Sequence, residues 1–72
     1  MTAKEMFEAL GYEYKQNNVN QICVCNIDND EWLWFYLDKK TFEYNEEISM
    51  ELLKVINKQV EELGWLNENE DL

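Results

Sequence analysis

The stretch Glu31-Trp32-Leu33-Trp34-Phe35-Tyr36-Leu37 decides the fold. Aromatic residues favour extended backbone, and a strand turns successive side chains to opposite faces. Alternation therefore puts Leu33, Phe35 and Leu37 on one side and Trp32, Trp34 and Tyr36 on the other. Both faces are apolar, yet one layer of helices covers only one of them. The second face either meets a partner or carries aromatics screened by neighbouring side chains. We assign Leu33, Phe35 and Leu37 to the core and Trp32, Trp34 and Tyr36 to the open face, because Trp and Tyr are enriched in binding hot spots. The reverse assignment, with the indoles inside and the aliphatics outside, leaves an apolar patch as well. Either patch suits a protein interface or a homodimer seam.

Working outward, Asp28-Asn29-Asp30 and Asp38-Lys39-Lys40 read as turns, since Asn and Asp side chains bond nearby backbone and tolerate positive φ. They set off strands over Val19 to Ile27, Glu31 to Leu37 and Thr41 to Asn45. A first strand, Tyr12 to Gln16, turns back at Asn17-Asn18, although Tyr12-Glu13-Tyr14-Lys15 also reads as an irregular edge. Connections this short make consecutive strands antiparallel neighbours.

Helical spacing flanks this strand-rich centre. Thr2 and Glu5 form the pattern of a capping box, Ala3, Met6, Phe7 and Leu10 fall on one stripe, and Gly11 supplies the left-handed stop. Ser49 caps a longer helix, with Ile48 placed to staple onto Leu53. Leu52, Leu53, Ile56, Val60 and Leu63 form its apolar face with Val55 on the flank, and Gly64 ends it with Trp65 packing back over Val60. The order α-β-β-β-β-α predicts an α+β two-layer sandwich: an antiparallel sheet of three to four strands, with the short N-terminal and long C-terminal helices on one face. Residues 1–66 form the single domain and residues 67–72 an acidic flexible tail.

Composition narrows the function. At 72 residues the chain holds one core. Its 46% hydrophobic content is too high for a disordered chain despite a formal charge of −10. The excess of 16 acidic over six basic residues, all of them Lys, disfavours direct binding to nucleic acid or to an anionic membrane surface. With neither a secretory pattern nor a disulfide framework, a reducing cytosol is the expected compartment. No cofactor is expected. Without His, acid–base catalysis would fall to carboxylates, Lys or Cys, and no paired constellation or phosphate loop stands out, so an enzyme is not expected. An EF-hand reading of Asp28 and Asp30 fails at Leu33 and Lys39, where Gly and a bidentate Glu are needed. Cys23 and Cys25 share one face of a strand and offer two thiolates where structural zinc needs four ligands. Small buried core side chains are the better account.

The carboxylates cluster at Asp28, Asp30 and Glu31, at Glu46 and Glu47, at Glu61 and Glu62, and at Glu68, Glu70 and Asp71. Glu46 and Glu47 suit the positive end of the long helix, whereas Glu61 and Glu62 sit at its negative end, partly offset by Lys58. The plain account of such charge is solubility. The sharper one is a negative surface that faces a basic groove, which nominates Asp28, Asp30, Glu31, Glu61 and Glu62 beside the aromatic anchor Trp32, Trp34 and Tyr36.

Two segments, Met1-Thr-Ala-Lys-Glu-Met-Phe-Glu-Ala-Leu-Gly-Tyr-Glu-Tyr14 and Ile56-Asn-Lys-Gln-Val-Glu-Glu-Leu-Gly-Trp65, resemble small acidic proteins carried by phages and prophages of low-GC Gram-positive bacteria. The likeness covers both helices and their stops and is loose through the strands. It implies a setting, that of compact acidic inhibitors of host defence such as anti-CRISPR proteins, and transfers no binding or catalytic residue. The expected function is a phage-derived inhibitor acting in the host cytoplasm. It would bind a host protein with a basic surface, possible targets being a CRISPR effector or another nuclease. A small homodimeric accessory or structural phage protein, or an antitoxin-like partner, is the alternative.

Overall fold

Each helix is delimited by the residues that the sequence places at its ends. In the computed structural model, which describes residues 1–66, α1 spans Ala3–Ala9 and α2 spans Met50–Glu62. The capping box of α1 is complete: Thr2 Oγ1 accepts from the Glu5 amide at 3.2 Å, and Glu5 Oε1 accepts from the Thr2 amide at 2.8 Å. Those bonds hold the Glu5 carboxyl below its ordinary value. On α2, Ser49 Oγ accepts from the Leu52 amide at 3.1 Å.

Both helices stop the same way. After α1 the Tyr12 amide reaches the Phe7 carbonyl and the Gly11 amide reaches Glu8; after α2 the Trp65 amide reaches Val60 and the Gly64 amide reaches Glu61. These are paired Schellman bonds around glycines at φ 96 and φ 78. The aromatic residue after each glycine turns back into the molecule. Tyr12 meets Phe7 edge-on at 6.2 Å between ring centroids, and Trp65 reaches beyond its own helix to Phe35 at 6.3 Å.

Between the helices, β1 (Glu13–Asn18), β2 (Gln21–Asn26), β3 (Glu31–Tyr36) and β4 (Thr41–Tyr44) form one antiparallel sheet in sequential order. Both helices lie against one face of it. Ala3 and Phe7 of α1, Leu52, Val55 and Ile56 of α2, and Ile22, Val24, Leu33 and Phe35 of the sheet form the core. This is the expected α+β layering, with Leu33 and Phe35 on the helix side as assigned. The predicted tail, residues 67–72, lies outside the described residues. No helix among the described residues is long and apolar enough to cross a membrane.

Four local expectations are corrected. The first hairpin turns at Val19 and Asn20, not at Asn17-Asn18. Pairing slips between Gln16 and Asn18, leaving Asn17 as an extra residue in the strand, and Asn18 Oδ1 accepts from the Asn20 amide at 2.7 Å. That side-chain turn outweighs the β propensity of Val19, which sits 82% exposed at the tip.

The apolar stripe of α2 is rotated from the expected one. Leu53 is 43% exposed, while Val55 and Gln59 are buried. The spacing Leu52, Val55, Ile56, Gln59 includes a polar residue, so reading hydrophobes alone turns the face toward Leu53. Gln59 is tolerated because its Oε1 accepts the Tyr14 hydroxyl at 2.7 Å. Lys58 closes no ion pair with Glu61 or Glu62; the ion pairs among the described residues are the exposed Lys4–Glu8 and Lys15–Glu13.

Cys23 and Cys25 are buried, but not in the helix-side core. The register places them opposite Trp34 and Trp32 on the other face of the sheet.

Candidate functional site: the open aromatic face

Residues directly opposite each other in an antiparallel sheet share a face, so the register maps the surface that no helix covers. Across its middle run Lys15, Cys23, Trp34 and Glu43, with Glu13, Cys25 and Trp32 in the adjacent row and Gln21, Tyr36 and Thr41 on the far side. Trp32, Trp34 and Tyr36 are half-buried, and this is the face to which the sequence reading assigned them. The thiols are flanked by the indoles on one side and by Glu13 and Lys15 on the other. Burial pushes the Cys23 thiol above its ordinary value, which makes it a poor nucleophile.

The polar tips of Trp32 and Tyr36 on this face are engaged. Trp32 Nε1 donates to Asp30 Oδ1 at 3.2 Å, and the Tyr36 hydroxyl donates to Glu43 Oε1 at 2.8 Å. The Glu43 bond raises the Tyr36 phenol above its ordinary value. Lys39 Nζ stands 5.8 Å from the Tyr36 ring centroid. The two indoles lie 12° from parallel with centroids 6.5 Å apart. A cleft of about 260 Å³ runs along them, bounded by Glu43, Tyr44 and Asn45. Asn45 fixes the start of this strip, since its Oδ1 accepts from the Trp32 amide at 2.8 Å and its Nδ2 donates to the Asp30 carbonyl at 2.9 Å.

The nominated carboxylates divide between the two layers. Asp30, left-handed at φ 56, belongs to the open face through Trp32, and Asp28 is exposed in the short 3-10 turn Ile27–Asn29 just before it. Glu31 points the other way. Its Oε1 accepts from the hydroxyls of Tyr12 and Tyr44, the latter at 2.6 Å. The Tyr12 bond, seconded by Tyr44, lowers the Glu31 carboxyl, and burial followed by Glu31 raises both phenols, Tyr44 strongly. This cluster lines a separate cleft of about 410 Å³ with Glu46, Glu47 and Ser49 at its rim.

Glu61 is exposed on the last turn of α2, in the helix layer. Glu62 Oε2 accepts from the Ala3 amide at 2.8 Å and so satisfies an orphan donor at the start of α1. Its position at the negative end of its own helix is thereby explained by the positive end of another. The residue that sequence reasoning missed is Glu43. It stands alone between Phe42 and Tyr44, so a search for carboxylate clusters passes it by; only the pairing of Trp34 with Glu43 reveals it.

Comparison with protein-family models, curated proteins and solved structures gives no match for this chain.

Proposed function

We propose that this chain is a non-enzymatic, phage-derived inhibitor that seats its open aromatic face on the basic, nucleic-acid-binding surface of a host defence or nucleic-acid-handling protein in the cytoplasm. The observation that carries this reading is the pairing of Trp32 and Tyr36 with Asp30 and Glu43 beside the second indole, Trp34. Such a surface joins a desolvating anchor to fixed negative charge, the combination that suits Lys- and Arg-rich partners. Glu31 in one cleft and Glu43 in the other are each held by tyrosine hydroxyls, an arrangement that favours recognition over proton transfer. The resemblance of the two helical segments to phage and prophage proteins supplies the host setting.

A homodimer through the same face is the competing reading; it would desolvate Asp30 and Glu43 of both copies, which costs stability unless Lys15 or Lys39 of the other copy pairs with them. Affinity capture from a bacterial lysate, with the wild type beside a Trp32→Ala/Trp34→Ala variant, tests the proposal when the recovered protein is then assayed for nucleic-acid binding. The expected result is a nucleic-acid-binding protein that only the wild type retains and that releases its labelled nucleic acid when the wild type is added. Equal recovery by both chains overturns the aromatic anchor. A dimer in sedimentation that Trp34→Ala abolishes supports the competing reading.

A further inference from the structure

We infer that the Trp32 and Trp34 indoles form a seat for an arginine side chain presented by the partner, a step that rests on the docking role proposed above and names the chemistry it reads. The centroids of these rings are 6.5 Å apart and their planes 12° from parallel. Carbon atoms in face contact sit about 3.5–4 Å apart, so neither indole fills the face of the other. A planar group one atom thick is the shape such faces take. Lys39 already lies over Tyr36, which leaves the indoles as the aromatic surface available to an incoming cation.

The rim selects the sign and the donor pattern. Asp30 spends Oδ1 on the Trp32 indole and Glu43 spends Oε1 on the Tyr36 hydroxyl. Each carboxylate keeps acceptor capacity for a further donor. These bonds also hold the two carboxylates against the aromatic strip, so a guest pays little to order them. Beside the indoles on β2 stand their register partners Cys23 and Cys25, buried at 5% and 3% exposure, with the Cys23 thiol pushed up by burial. Phosphate is repelled by the rim. A guanidinium satisfies every element at once, because it stacks flat on an aromatic face, is weakly hydrated and carries five N–H donors in a fixed fork. An ammonium matches the charge but neither the plane nor the fork, and its tighter hydration opposes burial against the rings.

The test uses the full chain and blocked pentapeptides, Gly-Gly-Arg-Gly-Gly, its lysine analogue and its citrulline analogue, the last being planar but neutral. The readout is the set of indole N–H resonances, with Trp65 on the helix side as internal reference. The expected result is a saturable shift of Trp32 and Trp34, with Trp65 unmoved, for the arginine peptide. Binding of the lysine peptide should be at least about fivefold weaker, and the citrulline peptide should give no shift. Glu43→Gln should weaken the arginine peptide by about fivefold while leaving the backbone amide spectrum in place. Equal binding of arginine and lysine, a shift centred on Trp65, or no shift of Trp32 and Trp34 overturns the assignment. The two proposals fail separately. Arginine selectivity at the indoles with partner capture unaffected by Trp32→Ala/Trp34→Ala keeps the seat and removes the inhibitor reading; capture lost in that variant without arginine selectivity does the reverse.

Discussion

The molecule joins aromatic residues to carboxylates twice, once on each side of its sheet, and the two assemblies differ in the distance they span along the chain. On the helix side, Glu31 gathers Tyr12 and Tyr44, residues 19 and 13 positions away. On the open side, Trp32 meets Asp30 two positions away and Tyr36 meets Glu43 seven away, within one turn and one hairpin. The first ties the entrance of β1 and the end of β4 to β3, so it stabilises the tertiary arrangement. The second holds side chains in place on a surface already formed. The same chemistry therefore serves cohesion in one place and readiness in the other.

The sharpest way to break the comparison is to truncate one ring on each side. Phe35→Ala removes a fully buried ring packed on Phe7, Phe42 and Trp65, and should cost about 3–5 kcal/mol. That is comparable to the whole stability of a chain this size, so urea titration should find the variant largely unfolded. Trp34→Ala, on the half-buried face, should keep a cooperative transition. A loss of cooperativity there as complete as for Phe35→Ala would mean that the open face is core.

Next in size is Glu31→Gln, which weakens two hydrogen bonds to a charged acceptor and should cost about 2 kcal/mol near neutral pH. The sign of its pH dependence follows from the lowered carboxyl. The stabilisation is full above the ordinary carboxyl value of 4.5 and is lost as pH falls through the lower folded value. At the other end, the raised phenols of Tyr12 and Tyr44 contribute below their ordinary value of 10.0 and lose that contribution as pH climbs beyond it. Unfolding free energy measured against pH should therefore flatten on the acid limb in Glu31→Gln, apart from the slope that Glu5 retains. An unchanged acid limb would remove Glu31 from the cohesive role.

The smallest effect belongs to Glu43→Gln. Its bond to Tyr36 is exposed, so stability should change by less than about 0.5 kcal/mol. The Tyr36 phenol should fall back toward its ordinary value in an absorbance titration, because the Glu43 bond is the largest influence raising it. A destabilisation equal to that of Glu31→Gln would erase the distinction between the two sides.

How much of this was legible in the residues depends on the range of the interaction. Capping at Thr2 and Ser49, the glycine stops and the sheet faces of β3 are local patterns, and the structure realises them. Where a side chain competes with propensity the reading slipped, as at Val19, displaced into a turn by the Asn18 side chain. Where burial is secured by a distant partner it slipped again. Gln59 reads as surface until Tyr14, 45 positions away, is seen to reach it. The site was legible in the same measure. Trp32, Trp34, Tyr36 and Asp30 come together because they are neighbours in sequence. Glu31, one position from Asp30, turns to the opposite layer by strand alternation, and Glu62 is claimed by Ala3 across 59 positions. Glu43 needed the hairpin register.

That link between Glu62 and Ala3 ties the last turn of α2 to the first turn of α1 through one side-chain bond of 2.8 Å. The Val19-Asn20 tip, exposed between β1 and β2, is the natural place to open the chain. A circular permutant spliced across the helices and opened at that tip should keep both layers. Its new ends would lie beside β1, leaving the helix termini free of any tag or fusion.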